Sequence, residues 1–110
     1  MVGVGIGIGV GLMAVIKALA VGGAIVAVVS VLTWERMKLW FHDRQSLCER
    51  DADNVCFSLI EKIGKNEYKT VYGIFNQRTS TFVETEGITS RSIDKTLLGY
   101  HDKEPLVVYR

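Results

Sequence analysis

Residues 2–33 read VGVGIGIGVGLMAVIKALAVGGAIVAVVSVLT, an apolar run interrupted by one charge, Lys17, and followed at once by Trp34-Glu35-Arg36-Met37-Lys38. An apolar stretch of about 18 residues or more has the pattern of a membrane-spanning helix. At ~1.5 Å per residue this one would reach roughly 48 Å, against about 30 Å of hydrocarbon. The surplus calls for tilt, for packing against other helices, or for a separate element. The expected fold is a membrane α-helical anchor, one long N-terminal transmembrane helix, followed by a small α+β domain.

Orientation follows from the flanks. Arg36, Lys38, Arg44 and Arg50 lie just beyond the run, whereas only Met1 precedes it. Basic residues stay on the cytoplasmic side, which predicts an integral single-pass protein with its N-terminus outside and its C-terminal domain cytoplasmic. Trp34 and Trp40, with Arg36 and Lys38, fit a membrane-interface belt at that boundary. A secretory signal peptide is the rival reading, because Ala18-Leu19-Ala20 has a small-x-small cleavage pattern. The lack of a basic segment before the run and the second apolar block, Val21 to Leu32, favour an uncleaved anchor.

On a helix, Gly3, Gly7 and Gly11 form one stripe, continued by Ala14, Ala18 and Gly22. Gly5 and Gly9 form a second, roughly opposite, continued by Ala20, Gly23, Ala27 and Ser30. Small residues at this spacing let helix backbones approach closely, the main route to association in lipid. Two opposed stripes imply a neighbour on each side: a ring, a row, or a socket between other helices. Alternation by two is also the strand period, but a strand in lipid requires a closed barrel. The run Gly3-x-Gly5-x-Gly7-x-Gly9-x-Gly11 resembles the glycine-repeat helix of rotary ATPase ring subunits, and the resemblance implies tight ring packing. That family's second spanning helix and its ion-binding carboxylate have no counterpart here, so ion-driven rotation is not implied. Lys17 falls between the stripes, where it would either line a lumen and favour anions or snorkel to the headgroups.

The 110 residues carry 13 basic and 12 acidic side chains, a formal charge of +1, and nearly all of them follow Thr33. Near-neutrality argues against a nucleic-acid partner. About 75 residues beyond the anchor suffice for one small domain. There is no Cys-x-x-Cys, HExxH, P-loop or dinucleotide-binding turn, so neither a cofactor nor a metal is implied. His42 and Asp43 are adjacent and would not face each other on a helix. Glu84, Glu86, Asp94, His101, Asp102 and Glu104 are scattered and read as solvated charges. Cys48 and Cys56 stand about two helical turns apart, too far to bridge within one straight helix, and a cytoplasmic domain would keep them reduced.

The chain divides into the glycine-rich helix (1–34), a juxtamembrane amphipathic helical segment (35–64) and a small cytoplasmic α+β domain (65–110). Within the middle segment the stretch 48–54 marks a break, and Asp53 or Asn54 could cap a second helix over Val55 to Ile63, stopped at Gly64. Tyr68 to Phe75 and Ser80 to Glu86 read as a hairpin around Asn76 to Thr79, with Gly73 marking a bulge. Ser90 or Ser92 could open a short helix ending near Gly99, and Leu106 to Tyr109 reads as a last strand pairing with the hairpin. The domain order is thus helix, β-hairpin, short helix, β-strand, with a three-stranded sheet whose edges are open to pairing.

The expected function is non-enzymatic: assembly through the small-residue helix into a homo-oligomeric ring or pore, or as a structural subunit of a larger membrane complex. The lipid bilayer and further copies or other membrane subunits are the expected partners, with no small-molecule substrate evident. A holin- or toxin-like permeabilising effector and a membrane-tethered sensor or interaction module are the alternatives.

Overall fold

The computed structural model describes residues 25–102 and 104–109. In chain order these are β1 (Ile25–Leu32), α1 (Trp34–Asp43), α2 (Gln45–Arg50), β2 (Asn54–Gly64), β3 (Glu67–Asn76), β4 (Thr81–Ile93), α3 (Lys95–His101) and β5 (Leu106–Tyr109). The strands form one sheet in the order β1-β4-β3-β2-β5. The central meander β2-β3-β4 and the β2–β5 pair are antiparallel, whereas β1 runs parallel to β4. All three helices lie on the same face of the sheet.

Local chemistry explains the helices. Thr33 caps α1, its hydroxyl accepting from the Arg36 amide at 3.2 Å. Trp34, Met37, Trp40 and Phe41 recur at three- and four-residue spacing and are the buried face of α1. They pack on Cys56, Tyr72, Ile74, Ile88, Val107 and Tyr109 from the sheet. Each such fully buried large side chain contributes roughly 1.5–3 kcal/mol. Leu97 of α3 joins the same core, and Asp102, with φ 39°, closes that helix in the left-handed conformation.

The opposite face carries a second apolar cluster: Val55, Phe57 and Leu59 of β2, Val71 and Phe75 of β3, and Leu106 and Val108 of β5, with Phe82 beside them. Strands β2, β3 and β5 are therefore apolar on both faces. This is why the sequence of β2 has the look of a helix. The expected helix over Val55 to Ile63 is a strand, because an apolar run buried on two sides loses the polar half of its alternation and resembles a helix. Residues 54–64 pair along their length with β3, as in Leu59 with Val71, and part of the run pairs with β5, as in Phe57 with Val108. The expected three-stranded sheet is five-stranded. The short helix expected from Ser90 or Ser92 starts after Asp94, because β4 continues to Ile93, and it runs through Gly99 to His101.

The expectation of one long transmembrane helix is also corrected. Residues 1–24 lie outside the described residues, and with them Gly3, Gly5, Gly7, Gly9, Gly11, Ala14, Lys17, Ala18, Gly22 and Gly23. The end of the apolar run, residues 25–32, is strand β1, and no described helix is long and apolar enough to cross a membrane. The segment IVAVVSVL is rich in β-branched residues, whose stiff side chains suit a pleated surface. Ala27 stands opposite Ile88 of β4 in a parallel ladder, not on a helix stripe. The membrane, pore and glycine-zipper reading falls with the span, as does the topology of an outside N-terminus and a cytoplasmic domain. Arg36 and Arg44, read as topology signals, pair with Glu86 at 3.3 Å and Glu84 at 2.8 Å on β4.

Candidate functional site, a cavity beside two cysteines

A break between two helices builds the site. At Arg44 the backbone leaves the helical region, and the Arg44 amide turns back to the Phe41 carbonyl at 3.0 Å. Its guanidinium lies 4.0 Å from the centroid of the Trp40 ring, donates to the Trp40 carbonyl at 3.2 Å and reaches Glu84 at 2.8 Å. These contacts pin the break, and α2 sets off in a new direction. Under it is a cavity of about 380 Å³ lined by Lys38, Leu39, Phe41, His42, Gln45, Cys48 and Cys56. That volume is within the range of small-molecule sites. A second cavity of about 380 Å³ shares Gln45, Cys48 and Cys56 and continues past Glu49, Ala52, Asn54, Val55 and Tyr109.

The two cysteines meet on the shared wall. Cys48 of α2 is half-buried and Cys56 of β2 is buried, and their Sγ atoms are 2.7 Å apart. The turn between them is held tightly. Asp51 Oδ1 accepts from the Asp53 amide at 2.9 Å, and the Asn54 side-chain amide donates to the Leu47 carbonyl at 2.8 Å. From the β3–β4 side, Arg78 donates to Asp51 at 2.9 Å and to Asp53 at 3.2 Å. The Asp53 amide, and then Arg78, hold the Asp51 carboxyl below its usual range. Burial, reinforced by the adjacent Cys48, pushes the Cys56 thiol up.

A second polar cluster is buried under α3. His101 Nδ1 lies 2.7 Å from the Glu104 carbonyl, which can only accept, so Nδ1 carries the proton. Nε2 is then the acceptor for the Ser58 hydroxyl at 2.7 Å, and the Tyr109 hydroxyl donates to Ser58 at 2.6 Å. The serine–histidine pairing resembles a nucleophile with its base, but Ser58 is 0% exposed and neither cavity reaches it. The cluster ties α3 and β5 to β2. Burial lowers the His101 pKa and pushes the Tyr109 phenol up to about 12.

Of the residues singled out in the sequence, Trp34 is buried against Tyr100 and Tyr109, with ring centroids 4.8 and 5.3 Å away. Trp40 is buried edge-on to Tyr72 at 5.4 Å. Lys38 pairs with Glu35 at 3.6 Å and lines the cavity. Among the described residues, no three His, Cys, Asp or Glu side chains converge in a way that could hold a metal. Sequence reasoning missed the cysteine pair by placing both residues on helices. The turn-forming run Asp51-Ala52-Asp53-Asn54 between them was the available signal, since a reversal there brings the flanks together. No family profile, curated protein or solved structure matches the chain.

Proposed function

We propose that this domain is a non-enzymatic binding module whose ligand is a compact, largely hydrocarbon or aromatic molecule. The carrying observation is the cavity of about 380 Å³ between α1, α2 and β2, with Leu39, Phe41 and the cysteines as its soft wall and Lys38, His42 and Gln45 as its polar groups. A few placed polar groups in an otherwise apolar hollow suit recognition by shape plus one or two hydrogen bonds. Titration with an anilinonaphthalene sulfonate dye tests the reading. Saturable binding at one dye per folded chain, lost in Gln45→Trp with the unfolding midpoint unchanged, is the expected result. Equal binding by that variant, or no saturable binding, overturns it.

A second reading is self-assembly through β1. This strand ends the sheet among the described residues and leaves Ile25, Val28 and Val31 exposed, Val28 at 77%. An edge strand with apolar side chains is a template for pairing with another copy. Analytical ultracentrifugation would then show a concentration-dependent dimer that Val28→Lys abolishes, and a monomer at all concentrations would discard this reading.

A further inference from the structure

We propose that Cys48 and Cys56 form a thiol–disulfide exchange site that takes small disulfides, such as oxidised glutathione, through the cavity they wall. The inference stands apart from the binding reading, because it concerns the sulfurs rather than what fills the hollow.

Three features carry it. The Sγ atoms, 2.7 Å apart, need only a small approach to reach the ~2.05 Å of a disulfide. Access is asymmetric: Cys48 is half-buried and borders both cavities, whereas Cys56 is 3% exposed. Cys48 also stands on the less deeply packed element. Helix α2 has six residues, no side-chain cap at its start and no fully buried residue, while Cys56 sits on a strand paired on both sides.

Cys48, as its thiolate, attacks one sulfur of the incoming disulfide; that bond breaks and one glutathione departs with the electron pair and takes up a proton. Cys56 then loses its proton to solvent, and its sulfur attacks Cys48 Sγ and expels the second glutathione. Two protein thiols and one small disulfide become one internal disulfide and two small thiols. Burial holds the proton on Cys56 and shields its sulfur from the incoming disulfide, so Cys48 reacts first. The product ties α2 to the sheet.

The test treats the full chain, in native buffer, with oxidised glutathione. The expected product loses the mass of two hydrogens and both titratable thiols, carries no disulfide between chains, and unfolds about 10 °C higher than the form restored by dithiothreitol. Cys56→Ser should stop at one glutathionyl group on Cys48, and Cys48→Ser should stay unmodified while folded. Two free thiols after exposure, a doubly glutathionylated chain, a disulfide between two chains, or closure only in denaturant each overturns the proposal.

Discussion

The backbone amide of Trp34 donates to Asp94 Oδ2 at 3.0 Å, across 60 residues of chain. The other oxygen of the same carboxylate accepts from the Leu97 amide at 2.8 Å. One side chain therefore satisfies the first turns of both α1 and α3, and the Asp94 amide in turn bonds the Leu32 carbonyl at 3.0 Å. Asp94→Ala should lower stability by about 2–3 kcal/mol, since two amides lose their acceptor at once. Asp94→Asn, which keeps one acceptor oxygen, should fall between. Urea denaturation of the three proteins checks the order.

Thr70 Oγ1 is buried with no hydrogen-bond partner among the described residues. A buried hydroxyl left unpaired forfeits its bond to water, whereas an apolar replacement of the same shape does not. Thr70→Val is therefore expected to stabilise the protein by about 1 kcal/mol. Thr70→Ser, which keeps the oxygen and removes the methyl, should do the reverse in the same thermal melt.

Two glycines predict opposite signs. A Cβ on Gly73 would run into the Glu84 carbonyl oxygen and the Thr85 Cα of β4. Backbone cannot yield as a flexible side chain can, so Gly73→Ala should cost about 2–3 kcal/mol by forcing β3 and β4 apart. The expected bulge lies one step further on, in the register shift between Ile74 and Phe75. At Gly99, inside α3, an added Cβ meets nothing. Gly99→Ala should raise stability by about 0.5–1 kcal/mol through a less flexible unfolded chain and better helix propensity. Chemical denaturation of both variants gives the comparison.

Stability should also fall on mild acidification. Burial depresses the His101 pKa below its ordinary 6.5, so the unfolded chain binds the proton more readily than the folded one. The contribution is complete above pH 6.5 and is lost as pH falls from there through the depressed folded value. Its slope is at most about 1.4 kcal/mol per pH unit. Unfolding free energies measured between neutrality and pH 5 should show this slope in the native protein and not in His101→Gln. Asp51 acts in a separate window: its carboxyl is held below 3.8, so its contribution is present above that pH and disappears only in stronger acid.

Legibility followed the range of the interaction. The hairpin of β3 and β4 was visible because its β-branched and aromatic residues and its polar turn lie within one short stretch. Asp94 reads in the sequence as one scattered charge among several, since nothing nearby reveals an acceptor shared with Trp34. The candidate site was invisible for the same reason: its wall combines Lys38 to Cys48 with Cys56, across a helix break and a turn.

By itself, the sequence determined what adjacent residues settle. The spacing of Met37, Trp40 and Phe41 marks the buried side of a helix, and the polar turn after β3 reverses the chain. Only the tertiary structure decided that residues 25–32 form a strand and that 54–64 pair with β3 and, over 56–59, with β5 as well. The physical reason is that an apolar run suits a lipid-facing helix and a sheet strand equally well. What separates them is where the backbone amides and carbonyls find partners, and for β1 those partners lie on β4, far along the chain.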